Sequence, residues 1–274
     1  MSTISETTAS HPTALEVRGL SSSFGKLRVL DDIDFSVRQG EIFVIMGESG
    51  AGKTTLLRHV VGLAAPDTGE IDMLGTALHP GTRKALFALR RKMGVAFQHG
   101  ALLNSMSVLD NIELPLRQNT KLDRSTIRIM SRMKLEMMNL GGFEDYMPAQ
   151  LSGGMLKRAG LARAVVMDPR ILFFDEPSAG LDPVTAAELD GLILQLRDAL
   201  KMTIIIVTHA LESAVKIADR IMIVGNGGIR AIGTLEEISK SPDTYIQSLL
   251  ERRTLEREVD GDAYLERLTA NLDE

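Results

Sequence analysis

The chain has no cysteine among its 274 residues. Disulfides, thiolate metal sites and cysteine nucleophiles are thereby excluded, and the absence fits a reducing compartment. A basic excess is missing too: 31 Lys and Arg stand against 36 Asp and Glu, a net charge of −5. Nucleic-acid binders ordinarily show the opposite balance. The five histidines are scattered, so no His-rich metal cluster is expected. No apolar run approaches the roughly 20 residues that span a bilayer; the longest are pieces such as Ile204-Ile205-Ile206-Val207. Residues 1–14 are rich in Ser and Thr and lack both basic residues and an apolar stretch. They read as a disordered lead-in, not as a secretory signal.

What is present alternates between short strands and helices. Leu15 to Leu20 reads as an early strand, and Val29 to Val37 alternates as a half-buried one. Glu41 to Met46 is a short apolar run, followed by a Gly-rich turn and a helix from about Lys53. Further strands are expected at Gly94–Phe97, Ile171–Phe174, Thr203–Val207 and Ile221–Val224, with Gly225-Asn226-Gly227-Gly228 as a turn. Helices are expected at about Ser125–Leu140, from an N-cap at Ser152 to about Met167, and over Pro183–Leu200. Short apolar strands between helices predict an α/β fold with a mostly parallel sheet covered on both faces. There is no internal repeat. The span of about 98–160 is predominantly helical and forms a candidate subdomain, and the chain turns charged and less regular after about 240.

Gly47-Glu48-Ser49-Gly50-Ala51-Gly52-Lys53-Thr54 satisfies G-x-x-x-x-G-K-[ST] in full. The glycines let backbone N–H groups turn inward around phosphate oxygens, and the following helix points its positive end at the same anion. Lys53 is expected to reach the β- and γ-phosphates, and Thr54 to ligate Mg²⁺; Thr55 completes the ATP-binding set. Asp175 and Glu176 close an apolar strand. A carboxylate there suits Mg²⁺, and the next one can polarise an attacking water. Asp175 is thus assigned to the metal and Glu176 to the general base. Leu151-Ser152-Gly153-Gly154-Met155 opens a second helix with free N–H groups and a positive dipole end. It is an anion site with no anion of its own in the same chain.

Taken in order, these motifs resemble the ATP-binding-cassette (ABC) family across roughly residues 15–235. The resemblance implies a P-loop NTPase core, an N-terminal antiparallel β portion and a helical subdomain. Gln98 looks like the family's Q-loop glutamine, which contacts Mg²⁺ and senses a membrane partner. Ser178-Ala179-Gly180-Leu181-Asp182 is similar to the D-loop, and His209 to the switch histidine on the γ-phosphate. Leu151–Met155 resembles the signature, whose Ser152, Gly153 and Gly154 serve the ATP held by a second copy. Phe24 stands where an aromatic residue stacks on adenine. Two positions depart from the common pattern: Met155 replaces a frequent Gln, and Phe24 a frequent Tyr. Neither removes a catalytic group, and Phe keeps the stacking face. The catalytic set implied is Glu176, His209, Gln98 and Lys53, with Thr54, Gln98 and Asp175 on the metal.

Within that family, Gln98-His99-Gly100-Ala101-Leu102-Leu103, Asp110 to Arg117, and LSGGM running into Lys157-Arg158-Ala159 resemble the ATPase of Mla-type, Mce-associated lipid transporters. That likeness implies an ATPase homodimer at the cytoplasmic side of the inner membrane, an integral-membrane permease, an Mce-domain lipid carrier and a small regulatory subunit. The alternative is an importer ATPase for amino acids or another polar solute. A non-transport cassette on DNA or ribosomes fits poorly with one cassette, no coiled-coil arm and negative charge. A catalytically dead binder fits poorly with Lys53, Asp175, Glu176 and His209 all present. Met130, Met133, Met137 and Met138 read either as core or as an adaptable groove for a permease helix. In the extension 241–274, Tyr264, Leu265, Leu268 and Leu272 share one helical face, which either supports the dimer or belongs to a loosely ordered tail.

Overall fold

The computed structural model describes residues 12–78, 83–98 and 100–250. The described chain opens with β1 (Thr13–Phe24), β2 (Leu27–Arg38), β3 (Ile42–Met46) and α1 (Lys53–Val60). Next come β4 (Thr68–Met73), β5 (Thr76–Ala77), α2 (Arg83–Arg90), β6 (Met93–Ala96), α3 (Val108–Asn119), α4 (Arg124–Met137) and α5 (Gly153–Val165). The last part holds β7 (Ile171–Asp175), α6 (Pro183–Leu200), β8 (Thr203–Val207), α7 (Leu211–Ile217), β9 (Arg220–Gly225), β10 (Gly228–Gly233) and α8 (Leu235–Ser239).

Two sheets result. One is antiparallel, in the order β2-β1-β4-β5; the other runs β10-β9-β3-β8-β7-β6 and is parallel except for the β9–β10 hairpin. The period of two explains how they stack. In β2, Ile33, Phe35 and Val37 are buried while Asp34 and Ser36 are exposed, as a one-sided strand requires. In β3 every residue is buried, so alternation is replaced by two apolar faces. Phe43 and Ile45 join the core shared with β1, β2 and α1, whereas Ile42, Val44 and Met46 join the core under the helices. Phe35 stacks on Phe43 at 5.7 Å and links the sheets. Each such fully buried side chain contributes about 1.5–3 kcal/mol through water removal.

The helices α3, α4 and α5 pack on one another across the second core. Each start has a cap: Ser107, Asp123 and Ser152 accept from N–H groups of the first turn. Asn111 organises the loop between β6 and α3. Fully buried, it donates to Leu103 O, Met106 O and Ser107 O and accepts from Leu103 N at 2.7 Å. Asn111→Ala orphans this set of buried groups. The expected cost is about 3 kcal/mol, a fall of roughly 8 °C in Tm. A fall under about 2 °C by calorimetry contradicts that account of the loop.

The expected strands and helices are found, most within two residues. β1 begins earlier and ends later than Leu15–Leu20, because its bulged, Ser-rich second half still pairs with both β2 and β4. The four methionines of this region divide between the core and the surface. Met138 is buried and Met130 and Met137 pack against the core, but Met133 is 60% exposed. It lies about 160° of helix rotation from Leu135 and about 120° from Ile127, away from the buried face of α4. Packing continues past residue 240: Ile246 is fully buried within helical residues 244–250. The lead-in expected over 1–14 is too long, because Thr13 and Ala14 belong to β1 and Ala14 is buried; residues 1–11 and the apolar face of Tyr264, Leu265, Leu268 and Leu272 lie outside the described residues.

Candidate functional site

Three neighbouring strands deliver the chemistry. β3, β8 and β7 are parallel and adjacent, with Ile45 level with Val207 and Val207 level with Asp175. Their C-terminal ends therefore place residues 47–54, 175–176 and 208–209 along one edge. This is where open α/β sheets bind ligands. A cleft of about 1040 Å³ opens there. It is lined by Gly47, Glu48, Ser49, Gly50, Gly52, Lys53, Thr54 and Thr55, and also by Phe24, Gln98, Asp175, Glu176 and His209.

The loop's shape follows from its glycines. Gly47 has φ +155°, and a Cβ there would stand 2.2 Å from Val224 O. No other residue type fits so close to β9. The α1 helix begins without a side-chain cap and without an acidic residue in its first turn, so its positive end is left for an anion. Lys53 is 7% exposed and donates to Gly47 O at 2.7 Å and Glu48 O at 2.9 Å. Burial lowers its pKa, while the carboxylates of Glu176 and Asp175 oppose that shift. Ala51 does not line the cleft. Its side chain packs on the core and its N–H donates to Glu48 O, closing a turn.

Opposite the loop stand two acids in different surroundings. Burial first, and then the Glu176 charge, push the Asp175 carboxyl above its ordinary pKa; Lys53 and Arg58 pull it back. Its Oδ1 is buried with no hydrogen-bond partner among the described residues. Glu176 sits at φ +48°, and its N–H donates to Val207 O at 2.8 Å. Its Oε2 accepts from Thr208 Oγ1 at 3.1 Å and from His209 N at 3.4 Å, and its Oε1 lies 2.8 Å from His209 Nδ1. Phe24 presents an exposed ring at the end of β1, and Gln98 enters from just past β6.

Ser152, Gly153 and Gly154 do not line this cleft. Ser152 and Gly153 are exposed, and Ser152 Oγ accepts from Met155 N at 3.3 Å as the cap of α5. A Cβ on Gly154 would stand 2.7 Å from Thr185 Cγ2, so the turn packs closely on the start of α6. The chain thus holds the Gly-rich loop and the two acids in one cleft, and the exposed, capped start of α5 outside it.

The family described as ABC transporter matches residues 30–179. The chain belongs to that family. It is 39% identical to the Haemophilus influenzae intermembrane phospholipid transport system ATP-binding protein MlaF, over 86% of this chain and 89% of that one. It is 40% identical to "Probable ribonucleotide transport ATP-binding protein mkl" of Mycobacterium leprae, over 88% of this chain and 70% of that one. The solved post-hydrolysis dimer of the ATP-binding cassette MJ0796, bound to ADP and Pi, superposes with a TM-score of 0.75 at 28% identity, covering 81% of this chain and 98% of that one. This ABC chain is an ATP-binding, ATP-hydrolysing cassette. No helix among the described residues is long and apolar enough to cross a membrane.

Several residues at the site carry no motif of their own. Thr208 is buried and holds Glu176. Tyr245 Oη accepts from Glu48 N at 3.1 Å, and Leu249 lines the cleft. Both arrive from a segment about 200 residues downstream of the loop, and only the return of the chain beneath β9 and β10 brings them there. The apolar positions Ile246 and Leu249, spaced for one helical face, were the available signal.

Proposed function

We propose that this ABC ATPase works as a homodimer that powers an integral-membrane permease moving phospholipid or a related lipid across a bacterial envelope. The observation that carries the dimer is the separation of the two candidate anion sites: the signature turn is exposed, capped and outside the cleft of its own chain. A second copy can bring its signature to the ATP on this loop, and the symmetry is reciprocal. In the cleft, Phe24 stacks on adenine and the N–H groups of Gly50, Gly52, Lys53, Thr54 and Thr55 hold the phosphates. Lys53 exchanges its two loop carbonyls for phosphate oxygens. Glu176 takes the proton of the attacking water. His209, paired with Glu176 Oε1, turns to the γ-phosphate when that pair opens.

The donor set fits Mg²⁺. The orphaned Asp175 Oδ1, the Thr54 hydroxyl and the Gln98 amide are hard oxygen donors on one cleft, and Mg²⁺ is ordinarily held by one or two carboxylates plus substrate phosphates. Bound there, such an ion would supply positive charge to offset that of the ATP phosphates. Glu176 stays beyond this set, held by Thr208 and His209 for the water.

Support for lipid cargo comes from the MlaF relative, which the chain covers over most of its length. The mkl relative carries a ribonucleotide in its name and keeps a polar cargo as the second reading. We place the protein peripherally on the cytoplasmic side of the inner membrane, with an Mce-domain lipid carrier and a small regulatory subunit in the complex. The deciding experiment is capture of tagged Glu176→Gln protein from detergent-solubilised native membranes, with mass spectrometry of proteins and lipids. A permease with an Mce-domain protein and phospholipid is the expected result. A polar-solute permease with its solute-binding protein would move the cargo to the second reading, and ribosomal or DNA-associated partners would overturn the transport reading.

A further inference from the structure

We infer that Lys157 is a positioning residue that ties the signature helix to the backbone of the general base in the same chain. Lys157 lies on α5, five residues after the Ser152 cap. It is 6% exposed, and its ammonium donates to Glu176 O at 3.0 Å and to Pro177 O at 2.7 Å. A buried ammonium is costly without acceptors, and here two main-chain carbonyls supply them. An apolar side chain would fill the space more cheaply, so the charge has a use beyond filling. That use follows from Glu176, which holds φ +48° without being glycine. Such a conformation persists only where its surroundings impose it. The N–H of Glu176 is fixed by Val207 O, its carboxylate by Thr208 and His209, and its carbonyl by Lys157.

The same helix has other rigid contacts. A Cβ on Gly160 would stand 2.8 Å from Gly100 Cα, in the loop that carries Gln98, and Gly154 packs on Thr185. Arg158 pairs with Glu188 on α6. Movement of the signature turn on docking a second copy's nucleotide therefore moves a helix whose Lys157 grips the carbonyl of Glu176. One chain's engagement with the distant ATP is thereby felt at the base of its own site.

This inference rests on Glu176 being the base, and its test separates the two claims. Full-length Lys157→Met, Lys157→Arg and Lys157→Gln proteins are compared with the parent for kcat, KM for ATP, affinity for a fluorescent ATP analogue and Tm, with Glu176→Gln alongside. Lys157→Met is expected to lower kcat at least tenfold with nucleotide affinity within twofold of the parent. Lys157→Arg, which keeps charged donors, restores kcat to within threefold. Should Lys157→Met fail to fold, Lys157→Gln is read by the same kcat-against-affinity split. A kcat within twofold of the parent overturns the proposal, as does a parallel loss of kcat, affinity and Tm that Arg does not repair. If Glu176→Gln itself turns over ATP at the parent rate, the base assignment fails, whatever Lys157 does.

Discussion

Glu176→Gln binds ATP as tightly as the parent and hydrolyses it at least a hundredfold more slowly. The amide keeps the shape of the carboxylate, and its oxygen can still accept from Thr208 Oγ1 and His209 N, so the cleft is preserved. It cannot take a proton from water. General-base catalysis is ordinarily worth about 10²–10⁴-fold, which sets the size of the loss. ATP affinity is untouched because binding rests on the N–H groups and Lys53 of the phosphate-binding loop, which the substitution leaves in place. Phosphate release and equilibrium nucleotide binding, measured on one preparation, check both halves. Normal turnover in this variant contradicts the assignment of the base.

Lys53→Ala fails at the earlier step. Its ammonium sits buried beneath the loop, already held by the two carbonyls that fold the turn around it. Truncation removes charge-assisted hydrogen bonds to phosphate, and a loss of about 3 kcal/mol weakens ATP binding more than a hundredfold. A second effect has the same sign. The Lys53 charge lowers the Asp175 pKa against burial and against Glu176. Without it, the carboxyl of Asp175 holds its proton to higher pH and ligates a cation less readily, so the defect deepens as pH falls. Titration calorimetry with ATP and Mg²⁺ at two pH values measures both. An affinity within threefold of the parent, or a pH-independent defect, contradicts this role.

The two variants also show how unevenly the site could be read in the sequence. The placement of Lys53, Asp175 and Glu176 on one cleft was legible because it depends on local order, strand then loop then helix, or apolar strand then acid, and local order is written along the chain. The central strands were legible for a related reason: fully buried five-residue runs such as Ile42–Met46 and Thr203–Val207 have few alternatives. Strand pairing was less so. β10 follows a turn that was read correctly, but Ile229 and Ile232 are only half-buried on an edge strand and give a weak period. The contacts of Tyr245 with the loop and of Lys157 with Glu176 depend on elements far apart in sequence, and a lone Tyr or Lys carries no positional mark. Methionine spacing alone left core and groove open for all four positions, and only the packed helix shows that Met133 faces outward while Met130, Met137 and Met138 meet the core.

The most direct test of the composite site is the mass of Glu176→Gln protein in solution, measured by light scattering with and without ATP and Mg²⁺, beside the same protein carrying Ser152→Asp. Aspartate still caps α5, so the fold is kept, but it sets a negative charge where the second copy's γ-phosphate must dock. The account predicts a nucleotide-dependent dimer for Glu176→Gln, and a monomer for the double variant even though it binds ATP normally. A monomer in both, or a dimer that ignores Ser152→Asp, would contradict the claim that the signature of one chain completes the ATP site of the other.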